Sequence, residues 1–284
     1  MKYINRILLL LTLGYSCLGA LILFHIAPSY LHFSSIKSKW VLVWEDDFQG
    51  SKLNSTQWAM VESGGGYNES YRYRTEIAAF NQENVTVKNG CLMLASKQRE
   101  WIGEDIFHPG QTIAGQYTSG QVVTKHAYAW GRYEIRAKLP SGQGLFPYVS
   151  LYPYNEDVSY EILIVGMLGY DPYSLYMSNY WGANQRFHFL NNDIFNRVKG
   201  PDYSNDFHTF AIEIEPGKII WYVDKVRVFQ TKRNIPNIPL CLNLGTIVGG
   251  GIAGNPSVPP KYGGRGTSLP QYFLVDWVRI YRKR

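Results

Sequence analysis

After residue 40 the chain offers strand after strand and no sustained helical periodicity. VLVWEDDF, ENVTVKN, CLMLAS, GQVVTK, GRYEIRAKL, YEILIVGML, TFAIEIEP, KIIWYVDKVRVFQT, PLCLNLGTIV and YFLVDWVRIY are rich in β-branched and aromatic residues, with Gly, Pro, Asn and Asp between them. Several alternate cleanly. In the run from Arg132 to Leu139, Tyr133, Ile135, Ala137 and Leu139 share one face, and Arg132, Glu134, Arg136 and Lys138 share the other. WYVDKVRVF reads as a hairpin turning at Asp224-Lys225. So many strands without helical crossovers predict antiparallel sheets packed face to face, a single all-β sandwich over residues 40–284.

The N-terminus is different in kind. Lys2 and Arg6 precede an apolar run from Ile7 to about Ile26, close to the ~20 residues that span a bilayer as a helix. Secretory h-regions are shorter, roughly 7–15 residues, and end at a small-residue site. Leu18-Gly19-Ala20 offers such a site, but apolar residues continue beyond it. The expectation is therefore an uncleaved transmembrane signal anchor over 1–30 and a tether over 31–39. The basic flank then stays cytoplasmic and the body lies on the periplasmic or extracellular side. Cleavage would instead give a secreted protein.

Composition narrows the function. Aromatic residues make up 15% of the chain and charged ones 18%, which excludes a disordered chain. The 22 Tyr and 8 Trp suit stacking on sugars, although sheet core and cross-strand pairs absorb most rings in such a fold. Net charge is +6, yet much of it sits in Lys2 and Arg6 and in a tail of Arg279, Arg282, Lys283 and Arg284. No basic stripe crosses the body, so no nucleic-acid partner is expected. The tail reads as a solvated terminus or as a contact for anionic lipid headgroups. Cys17 lies in the apolar run. Cys91 and Cys241 lie in strand-like runs and read as buried thiols, with a disulfide open to an oxidising compartment.

Taken together, the pieces resemble the family-16 glycoside hydrolases, the laminarinase, lichenase and agarase group. VLVWEDDFQGSKLNSTQW resembles that family's opening strand and loop, and GGGYNESYRYRTE its Asn-Glu-aromatic segment. YTSGQVVTKHAYAWGRYEIRAKLPSGQGLFPYVSLYP resembles its long central stretch. DFHTFAIEIEP, WYVDKVRVF, LNLGTIVGGGIAGNP and FLVDWVRIY resemble its closing strands. The resemblance implies a bent, concanavalin-like jelly roll with a groove across its concave face, and retaining endo-hydrolysis of β-linked polysaccharides.

The family's catalytic signature is Glu-x-Asp-x-x-Glu ahead of a hydrophobic-Leu-Gly step, here Met167-Leu168-Gly169. In that register the nucleophile is Glu161, the helper Asp is replaced by Leu163 and the acid/base Glu by Gly166. Residues 161 and 163 share a strand face. A bulge ahead of 166 returns that position to the same face. A retaining glycosidase needs two carboxyl groups ~5–5.5 Å apart, and losing general acid catalysis costs on the order of 10²–10⁴ in rate. The expectation is a polysaccharide-binding protein with little or no hydrolysis. An acid from elsewhere, with Glu156 and Asp157 as candidates, would instead make it a glycosidase or transglycosylase. A protein-interaction module built on the sandwich is the third reading. Glu161 also has a purely structural reading, an acid held by a neighbouring Arg or Tyr.

Matched groove positions implied by the resemblance are Asn68, Glu69, Tyr71, Trp130, Phe146, Tyr180, Trp181 and Asn243. Phe146 stands where a Trp is usual. Tyr148, Val149 and Ser150 replace Ala, Phe and Trp, and Ile252 replaces another Trp. No cofactor is required. The resemblance allows a structural calcium at Asp47, the Gly90 carbonyl and Asp276, oxygen ligands that suit a hard cation.

Overall fold

The computed structural model describes residues 39–62, 66–67, 75–76, 78–104, 110–153, 160–181, 194–257 and 266–284. The anchor expected over residues 1–30 lies outside them. Among the described residues no helix is long and apolar enough to cross a membrane.

In chain order the first strands are β1 (Trp40–Asp46), β2 (Trp58–Met60), β3 (Gly66–Tyr67), β4 (Thr75–Glu76), β5 (Ala78–Phe80) and β6 (Val85–Lys88). Then come β7 (Cys91–Glu104), β8 (Thr112–Ser119), β9 (Gln121–Thr124), β10 (Gly131–Lys138), β11 (Leu145–Pro153) and β12 (Tyr160–Met167). The rest are β13 (Ser174–Trp181), β14 (Ile194–Lys199), β15 (His208–Glu215), β16 (Lys218–Val223), β17 (Val226–Thr231), β18 (Leu240–Val248) and β19 (Gln271–Lys283). A 10-stranded sheet runs β17-β16-β15-β10-β19-β7-β8-β5, with β1 paired to β19 and β6 to β7. A 7-stranded sheet runs β14-β13-β12-β11-β18-β9-β2. Every strand that the sequence announces is present, and the pairing is antiparallel except between β5 and β8.

The two sheets close on one another. Tyr133, Ile135, Phe210, Ile212, Trp221 and Phe273 of the larger sheet meet Val149, Leu151, Ile162, Val165, Leu242 and Leu244 of the smaller. The alternation in β10 is obeyed residue by residue, buried and half-buried in turn. Asp224 (φ 47°) and Lys225 (φ 70°) form the β16–β17 turn, both left-handed as a two-residue hairpin that follows the strand twist requires. Cys91 and Cys241 are both free thiols, so the disulfide alternative is not realised between them.

Candidate active site

Strand β12 carries the candidate site, and its geometry rests on a bulge. Tyr148 pairs with Gly166 and Val149 with Val165, but Ser150 pairs with Leu163, so the register slips by one residue at Ile164. The slip recurs against β13 between Leu163 and Gly166. Ile162, Ile164, Val165 and Met167 all enter the core between the sheets. Leu163 is buried in a separate cluster with Phe146, Tyr148 and Ala253, on the face turned away from that core. Positions 161, 163 and 166 therefore share the far face, as the signature requires. Trp221, from the opposite sheet, donates its indole N–H to the Leu163 carbonyl at 3.0 Å. That bond supplies a partner for a backbone oxygen at the bulge, where the ladder is interrupted.

The far face is built in cross-strand rows. Gly245, Tyr148, Gly166 and Tyr176 form one, and Asn243, Ser150, Leu163 and Ser178 the next. Glu161 is half-buried and lies directly across from Tyr180. It is the only acidic residue on the described strands of the smaller sheet. Asp171, just beyond β12, is held by Arg197 at 2.7 Å. Glu156 and Asp157 lie outside the described residues, as do Asn68, Glu69 and Tyr71.

The space for an acid at position 166 is taken. A Cβ there would lie 2.5 Å from Phe146 Cζ and 3.1 Å from Leu163 Cδ2, closer than packed carbons tolerate. Phe146 is only 8% exposed and stacks on Tyr148 with ring centroids 6.5 Å apart. Its ring fills the space over Gly166. It also changes the simplest repair, since Gly166→Glu with Leu163→Asp leaves Phe146 in the way.

Asn243 is likewise buried. It accepts from Gln121 at 2.9 Å and donates to the Tyr148 hydroxyl at 3.5 Å. Trp130 is 44% exposed but precedes a strand of the larger sheet, and its indole donates to the Pro236 carbonyl at 2.6 Å. Trp181 is half-buried and faces the Arg233 guanidinium at 5.8 Å. Asn179 Nδ2 donates to the carbonyls of Arg233 and Asn234, each at 3.1 Å. One loop thus touches both tryptophans. Glu161, Tyr180 and Trp181 gather where β12 begins and β13 ends, whereas Phe146 and Asn243 lie in the buried part of the sheet face.

Three more residues matter here: Tyr148 and Ser150, which the sequence marked as replacements, and Tyr176, which it did not single out. Tyr176 and Tyr148 flank Gly166, and the alternation of β11 and β13 was the signal for them. Burial raises the Tyr176 phenol, with the nearby Arg197 opposing it. Ser150, in place of a large ring, leaves its hydroxyl fully buried without a hydrogen-bond partner.

At the proposed calcium positions the oxygen groups already have partners in the protein. The Asp276 carboxylate is engaged by the Arg136 guanidinium. The Asp47 carbonyl accepts from the Gln49 side-chain amide at 3.1 Å, and that same amide lies against Gly90. Each donor competes for oxygen lone pairs that a hard cation would use. Among the described residues no group of three or more His, Cys, Asp or Glu could hold an ion.

Comparison with known proteins bears on the whole arrangement. A family model described as glycosyl hydrolases family 16 matches residues 73–263. A β-glucanase of Rhodothermus marinus is 29% identical over 266 residues, covering 86% of this chain and 85% of the relative. A glucan endo-1,3-β-glucosidase of Cryptopygus antarcticus is 30% identical over 202 residues, 68% of this chain and 69% of the relative. Among solved structures, the catalytic domain of an endo-1,3-β-glucanase (laminarinase) from Thermotoga petrophila superposes with a TM-score of 0.72 at 25% identity. It covers 86% of this chain and 98% of that chain.

Proposed function

Since the chain belongs to glycosyl hydrolase family 16, a polysaccharide-acting family, we propose that it binds a β-glucan-type polysaccharide and hydrolyses it slowly or not at all. The glucanases it resembles supply the substrate class. The supporting observation is the packing of Phe146 and Leu163 over Gly166, on a sheet whose only described acid is Glu161. In retaining chemistry Glu161 would attack the anomeric carbon, and a second carboxyl would hand a proton to the departing oxygen. With no acid at 166, a natural sugar leaves as a poorly stabilised alkoxide. An aryl glycoside with an acidic phenol leaves without that help.

We further propose that the segment Ile7–Ile26 anchors the protein, with the sandwich outside the cytoplasm. Its length and the flanking Lys2 and Arg6 support this.

The decisive measurement is sugar release from laminarin and mixed-linkage glucan by the purified chain and by Glu161→Gln, beside binding of the same polymers. Binding without release, equal in both proteins, is expected. With a dinitrophenyl β-glycoside the native chain should release phenolate and Glu161→Gln should not. Brisk release from a natural glucan that disappears in Glu161→Gln would overturn the proposal.

A further inference from the structure

We propose that the edge formed by β1 and the end of β19 docks on an anionic phospholipid surface, an inference that rests on the membrane-anchored reading above and assigns the body its orientation. β1 is paired on one side only, to β19. Its consecutive side chains Val41, Leu42 and Val43 are 41%, 43% and 45% exposed, although three adjacent exposed apolar residues on an open edge invite unwanted pairing. The bulge between Leu42 and Trp44 sits within this run.

Positive charge lies beside it. Arg282 pairs in register with Val41, so the two side chains share a face. Arg284 donates its backbone N–H to the Lys39 carbonyl at 2.9 Å. Both arginines are exposed, and neither forms an ion pair among the described residues. The neighbouring cations are spoken for. Lys39 binds Glu213 and Glu215, Lys283 binds Glu215, Arg132 binds Glu134 and Glu213, and Arg279 binds Glu45. What remains is an edge with three exposed apolar side chains, distributed over both faces of the strand, and two guanidinium groups that no described acid binds, a combination that complements acyl chains under anionic headgroups.

Chain connectivity argues for the same occupant. Residues 27–38 separate the apolar segment from Lys39, a contour of at most about 43 Å. An anchor in the bilayer would tether Lys39 within that reach and raise the local concentration of lipid. The alternatives fit less well. Two copies meeting through β1 would bring their arginines together, and the bulge disfavours continued pairing. A nucleic acid has no use for the apolar run. Because β1 belongs to the larger sheet, this docking leaves the Glu161 face of the smaller sheet clear for polymer.

The test is amide hydrogen exchange on the full chain in lipid nanodiscs, of phosphatidylcholine alone or with phosphatidylglycerol added. Exchange across Trp40–Glu45 should slow in the anionic discs by about tenfold and recover in high salt. The opposite edge, β17, should be the same in both. Arg282→Glu with Arg284→Glu should abolish the difference. Equal exchange in the two lipids, or protection that survives the double charge reversal, overturns the proposal. So does protection that follows protein concentration and not lipid charge, which would identify self-pairing. Alkaline extraction of the same membranes separates the two readings. A chain that resists extraction but shows no anionic protection keeps the anchor and loses the docking. A chain that is extracted yet protected on anionic discs does the reverse.

Discussion

The sandwich has two outward faces, and they treat acidic side chains in opposite ways. On the larger sheet Glu213 is 4% and Glu215 5% exposed, and each is held by more than one cation. Trp40 and Tyr222 add hydrogen bonds to Glu213. On the smaller sheet the two positions that would stand with Glu161 are a leucine and a glycine under a phenylalanine ring. Charge is kept where partners offset its desolvation, and the two positions beside Glu161 carry none. The bulge nevertheless persists, because its inward side chains Ile164 and Val165 pack in the shared core and Trp221 binds its carbonyl. The scaffold of the site is thus maintained by the core and not by the catalytic groups.

Removing the core's hold is the strongest way to break this contrast. Trp221→Ala should destabilise the protein by about 3–5 kcal/mol through the cavity alone, read from the urea midpoint. Trp221→Phe, which mainly removes the indole donor, should cost roughly 1–3 kcal/mol. No loss in either variant would mean that something else maintains the bulge.

Gly166→Glu comes next, with a cost of about 1–3 kcal/mol from overpacking against Phe146. Adding Phe146→Ala should return part of that stability. Only this pair, with Leu163→Asp, is expected to raise sugar release. Equal stability of Gly166→Glu and the parent would remove the steric argument.

On the charged face, Arg132→Met should cost about 1–2 kcal/mol, because Glu134 and Glu213 each lose a charged donor. The smallest effect is acid dependence. Burial pushes the Glu215 carboxyl up, but Lys283 and Lys39 overcome it and bring it down to about 2. Glu213 is lowered in the same sense, with burial outweighed by Lys39, Arg132 and Trp40. A depressed carboxyl stabilises the fold above its ordinary value of 4.5 and loses that contribution as pH falls toward 2. The melting temperature should therefore drop over that interval, and Glu215→Gln should flatten the drop.

Much of this was legible in the residues. Strand alternation, the Asp224-Lys225 hairpin and the bulge before Gly166 are local patterns, and the backbone follows each. The β5–β8 parallel pair escaped because three-residue strands carry no periodicity. The packing of Phe146 over Gly166 was not legible, because matching a residue to a groove position says nothing of which way a neighbouring void is filled. The partners of Trp130 and Asp276, Pro236 and Arg136, are more than a hundred residues away in sequence. Only the folded sheet order brings such pairs together.

The hydrogen bond from Arg284 to Lys39 brings residues 39 and 284 into contact. In a chain cut to begin at Lys39, a short flexible linker would join the two into a closed ring that could be reopened elsewhere, for instance at the exposed Asp224-Lys225 turn. Such a permuted protein would keep both sheets and carry its fusion partners at a different corner of the molecule.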